Sequence, residues 1–230
     1  MKKSKINDKL NEVEIEEQFG IVYGFNYEEA VIWYNIADEN LTTSKVLIDN
    51  HRFAHAAFFM QQSVECFIKG ILIHSEILSP DKVKSVSHDI ESVFCEFYKK
   101  VGDEYNINTI QSIHSKLQGH TSFSDKITMI IVPCANNIIE QFERANTDST
   151  LGFHTIYGYI TNMLILFSIL LNRNIQQDTR YYDNDSYPCE KYTESSQLDK
   201  VLEYLISVNE WIKFLSNHNQ QAYNNTNSRK

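Results

Sequence analysis

From Phe53 to Leu78 apolar side chains keep to one side of a helical wheel: Phe53, Ala57, Met60, Val64, Phe67, Ile68, Ile71 and Leu78. A 3.6-residue period kept over that length marks an α-helix with one face in a core, and a strand cannot sustain it. A second such run precedes it over 27–49, with Ala30, Trp33, Ala37, Leu41, Ser44 and Ile48 on one face and Glu28, Asp38, Glu39 and Lys45 elsewhere around the wheel. A turn at Asn50-His51 separates the two. On the longer helix, about Arg52 to Leu78, a polar stripe of Gln61, Glu65 and Lys69 reads as the solvent face. Glu65 precedes Lys69 by one turn, the favourable order for a modest surface ion pair.

Composition points the same way. Only 7 Gly and 3 Pro in 230 residues leave little punctuation for the tight turns of a sandwich or barrel, so the expected class is all-α. One domain of this size buries roughly 70% of its unfolded surface and needs no disulfide or structural metal. The net charge of -9 excludes a general nucleic-acid coat and leaves room for a local basic pocket. Cys66, Cys95, Cys134 and Cys189 are widely spaced without a C-x-x-C pair, which reads as reduced thiols in a cytoplasmic protein. Lys2, Lys3 and Lys5 begin the chain, but acidic and polar residues follow where a secretion signal needs an apolar stretch. The apolar run Ile160 to Leu171 is shorter than the roughly 18 residues of a membrane span, so a buried helix and no membrane contact are expected.

The remaining chain divides into an N-terminal arm over 1–26, a helical domain over 27–217 and a disordered tail over 218–230. Ser79-Pro80-Asp81 is a helix-start signal. Ser87-His88-Asp89 opens a third long helix that buries Ile90, Val93, Phe94, Phe97 and Val101 before Gly102. Ser124-Asp125 starts another, with Ile127, Ile130, Ile131, Cys134, Ile138 and Phe142 on one face, and Pro133 either kinks it or resets its start. The β-branched stretch 127–132 also suits a strand, ranked second because an isolated strand has no partner. Leu151 to about Asp178 reads as a long buried helix, and Arg180 to Glu194 as a loop. Ser196 and Asp199 suit the first turn of a last helix carrying Leu198, Val201, Leu202, Leu205, Ile212 and Leu215 inward.

The stretch Ala54 to Gly70 resembles the second helix of HEPN domains, with its pattern A-x-F-x-x-Q-Q-A-x-E-K-x-L-K-A. Gln61, Gln62, Glu65 and Lys69 match; Ser63 and Cys66 depart from the usual Ala and Lys. His88-Asp89-Ile90 is similar to the family's H-D-L opening of the third helix. Arg180-Tyr181-Tyr182-Asp183 is similar to its R-Y-P-D turn, with Tyr182 in place of Pro. The resemblance covers about 28–101 and 170–216 and leaves about 103–150 as an insertion. It implies an antiparallel bundle of four to six helices with an inserted helical region. It also implies a homodimer, a minimal nucleotidyltransferase partner and a nucleotide or RNA ligand in bacterial toxin-antitoxin, phage-defence or stress systems.

One branch of that family consists of metal-independent ribonucleases whose site is an Arg followed four to six residues later by a His. The His moves the proton of a 2′-hydroxyl and the Arg stabilises charge developing on the phosphate. Here Arg173 is followed at that spacing by Asp178, and neither Arg52 with His55 nor Arg144 with His154 has the spacing. Asp has a far lower reference pKa than His and suits neutral-pH proton transfer less well. Arg180 and Tyr181 are candidates for a nucleotide site, the guanidinium gripping phosphate and the ring stacking on a base, or for a turn that only packs on the bundle end. His88 is a candidate polar contact in the same cleft, or a helix-capping residue. Lys69 is a candidate phosphate ligand unless Glu65 occupies it.

His51 and His55 have a metal-compatible spacing but no third ligand, and His114 and His120 read as solvated, so no metal is expected. No glycine-rich phosphate loop or nucleophile elbow is present, and no cofactor is expected. The leading expectation is therefore a non-catalytic nucleotide- or RNA-binding and protein-interaction module. The alternative is an endoribonuclease toxin with a rearranged site using Arg173, Asp178 or His88.

Overall fold

A computed structural model describes residues 27–74, 77–85, 104–120, 122–146, 153–171, 175 and 187–227. Among these there is no strand, and the architecture is the all-α bundle that the periodicities predict. In chain order the elements are α1 (Tyr27–Asp49), α2 (Phe53–His74), α3 (Pro80–Ser85), α4 (Glu104–Gln118), α5 (Phe123–Lys126), a π turn (Ile127–Ile131), α6 (Val132–Asn146), α7 (Phe153–Leu170), α8 (Pro188–Lys191), a 3-10 turn (Glu194–Ser196) and α9 (Leu198–Asn227). The expected helix over 87–101 lies outside the described residues.

α1 and α2 form the tightest pair, and small side chains allow it. Ala30, Ala37 and Ser44 recur every seven residues on α1, and Ala56, Ser63 and Gly70 do so on α2; all six are buried. Seven residues make about two helical turns, so these rows keep facing each other along an antiparallel pair. Register is fixed by two hydroxyls crossing the seam: Ser44 Oγ donates to the Ala56 carbonyl at 3.3 Å and Ser63 Oγ to the Ala37 carbonyl at 2.9 Å. His51 makes the reversal between the helices with φ 56°, a left-handed residue ending α1.

α2 ends at His74, earlier than its apolar pattern suggests. The N–H groups of Ile77 and Leu78 both return to the Leu72 carbonyl, at 3.0 and 3.1 Å, so the chain folds back and both side chains still pack against the core. Leu78 thus keeps the helical apolar period without belonging to the helix.

The middle of the chain resolves the proline question. Ser122 caps α5, its hydroxyl accepting the Asp125 N–H at 3.0 Å. After the four residues of α5 the helix widens into the π turn, where the Val132 N–H bonds the Ile127 carbonyl. Pro133 then sits exposed directly after the π turn inside a helix that runs unbroken from 123 to 146, and the wider turn before it makes room for the ring and the missing N–H. The helix starts at Phe123 and is not restarted at Pro133, and the β-branched run is helical. α4, with Ile110, Ile113 and Leu117 inward, is a helix the sequence reading did not resolve.

α7 supplies the centre, with Met163 to Leu171 continuously buried, and α2, α4, α6 and α9 pack on it. α9 extends to Asn227, into the stretch read as a disordered tail. One helix of the described residues, α2, is long and apolar enough to cross a membrane, but 83% of its most apolar window is buried inside the bundle. That is the pattern of a core helix.

Candidate functional site

Of the residues singled out from the sequence, Lys69 lies within the described structure. His88, Arg173, Asp178, Arg180, Tyr181 and Tyr182 lie outside the described residues. The chain returns at Tyr187, where the N–H donates to Glu190 Oε2 at 2.9 Å to start α8, and α8 packs against α2.

The polar stripe of α2 is where sequence and structure part. It is not a solvent face: Gln61, Glu65 and Lys69 are all buried, because α1, α7, α8 and α9 each pack on this helix. The side chains form a ladder. Gln62 Nε2 donates to Gln61 Oε1 at 2.5 Å, Gln61 Nε2 to Glu65 Oε2 at 3.4 Å, and Lys69 Nζ to Glu65 Oε1 at 2.7 Å. The Lys69 ammonium also lies 5.1 Å from the centroid of the Trp33 ring on α1, within cation-π range. Burying an ammonium and a carboxylate is tolerable only when each meets the other and further dipoles, and the ladder supplies both. Lys69 is therefore committed to Glu65 and Trp33, and the modest surface pair expected from the sequence is a buried one.

Near the end of α2, α1, α2, α7 and α9 converge on a small cleft that is open to solvent and holds little more than a water molecule. Tyr34, His74, Tyr157 and Ser216 stand among Ile71, Ile160, Ile212 and Leu215 in its wall. The Tyr34 hydroxyl lies 3.3 Å from His74 Nδ1, and burial lowers the His74 pKa, keeping the ring neutral. A neutral imidazole beside a phenol can exchange a hydrogen bond with a ligand, but it offers no positive charge to a phosphate. His74 escaped the sequence reading because it interrupts no motif; its place in the last turn of a wholly apolar helix face was the available signal.

Gly70 explains how the cleft closes on the α1 side. A Cβ there would stand 2.3 Å from Tyr34 Cε1, so the phenol ring lies directly on the α2 backbone. Elsewhere, His51, Arg52 and His55 are exposed at the α1–α2 turn, His114 on α4 and His120 just after it are half-buried, and Arg144 pairs with Glu140 on α6. Among the described residues no group of three or more His, Cys, Asp or Glu side chains is placed to hold a metal ion.

Comparison with known proteins gives one result for the family. The model of the HEPN domain matches residues 30–145, just over half of the chain. The match runs from α1 through most of α6, including 103–145, and ends before Arg173 and Arg180. No curated protein and no solved structure matches.

Proposed function

Because this chain belongs to the HEPN domain family, we propose that it is a non-catalytic module that binds a nucleotide or RNA and docks a protein partner of the nucleotidyltransferase type, in a bacterial defence, stress or toxin-antitoxin setting. The observation that carries the non-catalytic reading is in the sequence. None of its arginines is followed four to six residues later by a histidine; after Arg173 those places hold Gln177, Asp178 and Thr179. Without an imidazole there, no group near its own pKa at neutral pH is supplied to take the 2′-hydroxyl proton. The α2 motif supports the same reading, since Lys69 is neutralised by Glu65 and works as framework.

On this reading the ligand contacts fall to Arg180 and Tyr181, with His88 beside them, and the functional unit is a homodimer. The test is a gel of end-labelled single-stranded RNA with purified protein in EDTA at low salt, comparing wild type with Arg173→Ala and Arg180→Ala. Intact RNA that shifts, with the shift lost in Arg180→Ala, is the expected result. Cleavage that disappears in Arg173→Ala establishes the endoribonuclease instead.

A further inference from the structure

Three of the large apolar side chains that the described structure leaves to solvent share one helix face. Ile32, Ile36 and Val46 on α1 are 54%, 40% and 55% exposed, whereas Met129, Tyr187 and Phe214 stand singly on separate parts of the chain. Ile32 and Val46 are two heptads apart, so they lie on one side of the helix, about four turns and ~21 Å from each other. That side is opposite the row Ala30, Ala37 and Ser44 that α1 packs on α2. Thr43, in the same outward stripe, donates its hydroxyl to the Glu39 carbonyl at 2.9 Å, so covering it leaves no donor unmet.

Charge along this face has a direction. Glu28 and Glu29 lie in the first turn of α1 and Glu39 is central; Lys45 and Arg52 stand toward the α1–α2 turn, with Asp49 between them. Glu28, Glu39, Lys45 and Arg52 are exposed, and among the described residues none of them makes an ion pair. A face that is acidic at one end and basic at the other complements itself only when turned end for end. About a two-fold axis near Asn40, Ile32 and Ile36 of one copy meet Val46 of the other, Glu28 meets Arg52, and Glu39 meets Lys45. Parallel pairing would set like charges together.

We propose that two copies of this chain pair, antiparallel, through the outward face of α1, with Ile32, Ile36 and Val46 at the contact and Glu28, Glu39, Lys45 and Arg52 forming ion pairs around it. The inference rests on the proposed homodimer and gives it an interface. A single pair of helices covers an area at the low end for protein interfaces, so the dimer is weak and reversible. Its ion pairs are exposed at the edges, so it weakens further in high salt.

Sedimentation equilibrium of the full chain, from micromolar to submillimolar concentration, tests this. Wild type is expected to pass from monomer to dimer, and Ile36→Asp to raise the dissociation constant at least tenfold, because a two-fold axis brings each substitution into the contact twice. Met129→Asp, an equally exposed apolar position on the π turn, should leave the dimer unchanged. Glu28→Lys with Glu39→Lys makes the face basic throughout, and Lys45→Glu with Arg52→Glu makes it acidic throughout. Each of these variants is expected to be monomeric alone, and the two to pair when mixed at physiological salt unless one also carries Ile36→Asp. Melting curves like that of wild type establish that the substitutions leave the fold intact. A dimer that persists in Ile36→Asp, or is weakened as much by Met129→Asp, overturns the proposal and leaves the homodimer standing with its interface elsewhere. Mixed variants that stay monomeric also overturn it. Wild type that is monomeric at every concentration overturns the homodimer and the interface together.

Discussion

Lys69 Nζ lies 2.7 Å from Glu65 Oε1 one turn earlier on α2, and the two side chains are 8% and 5% exposed. Losing one partner strands the other charge in the core. Lys69→Met is therefore expected to destabilise the protein by about 3 kcal/mol, in the range for breaking a buried pair. Adding Glu65→Leu should recover most of that loss, because two apolar side chains need no counter-charge. Urea unfolding of wild type, both single variants and the double variant measures the coupling; additive losses would show that the pair does not act as a unit.

The Tyr34 ring occupies the place where Gly70 would carry a side chain. Gly70→Ala improves helix propensity by about 1 kcal/mol, but the added methyl meets a ring that is itself buried and backed by His74. Overpacking of this kind costs about 1 to 3 kcal/mol, so a net loss of stability is expected. Tyr34→Ala should relieve the clash, making Gly70→Ala stabilising in that background. A thermal melt of the four combinations decides it.

His74 gives a pH dependence with a definite sign. Burial holds its folded-state pKa below the ordinary 6.5, so the unfolded chain takes up the proton first. Its contribution is fully present above the unfolded pKa and is lost as pH falls from there toward the folded value. Melting temperatures between pH 7.5 and 5.5 should drop further for wild type than for His74→Gln. Equal slopes would mean that the ring is solvated.

Thiol reactivity separates buried from surface cysteines. The Cys66 thiol is pushed up to about 12, by burial first and by neighbouring Glu65 second, while Cys134 is raised by burial; Cys189 is exposed. Only the thiolate attacks a disulfide reagent. In a Cys95→Ser background at pH 8, Cys189 should react within minutes and Cys66 only on unfolding, followed by mass spectrometry of labelled peptides. Early labelling of Cys66 would place α2 at the surface.

Much of the bundle was legible because burial leaves a period in the sequence. α1 could be read to its ends from Ala30, Ala37 and Ser44, and the inward face of α9 from Leu198 to Leu215. α2 was legible as a helix but misread as amphipathic. Periodicity assumes that a polar stripe meets water, whereas Gln61, Glu65 and Lys69 satisfy one another inside the bundle. α4 was faint because Ile110, Ile113 and Leu117 stand in a largely polar segment. The π turn was not legible, because Pro133 pointed to a kink or a new helix start and the chain instead stays helical through it. The family was legible in the α2 motif, because residues that pair within a buried helix must keep their spacing. A ligand contact carries no such internal signature, and the Tyr204–Asn136 contact joins residues more than sixty apart in the chain.

The central claim is that this chain engages RNA without cutting it. Its most direct test is to hold a 20-residue single-stranded RNA with a stoichiometric amount of the protein in EDTA at neutral pH for several hours, then weigh the recovered RNA by mass spectrometry. The intact 20-mer alone, recovered from a complex that forms, is the predicted result. Fragments ending in a 2′,3′-cyclic phosphate, the product of 2′-hydroxyl attack without a metal, would contradict it.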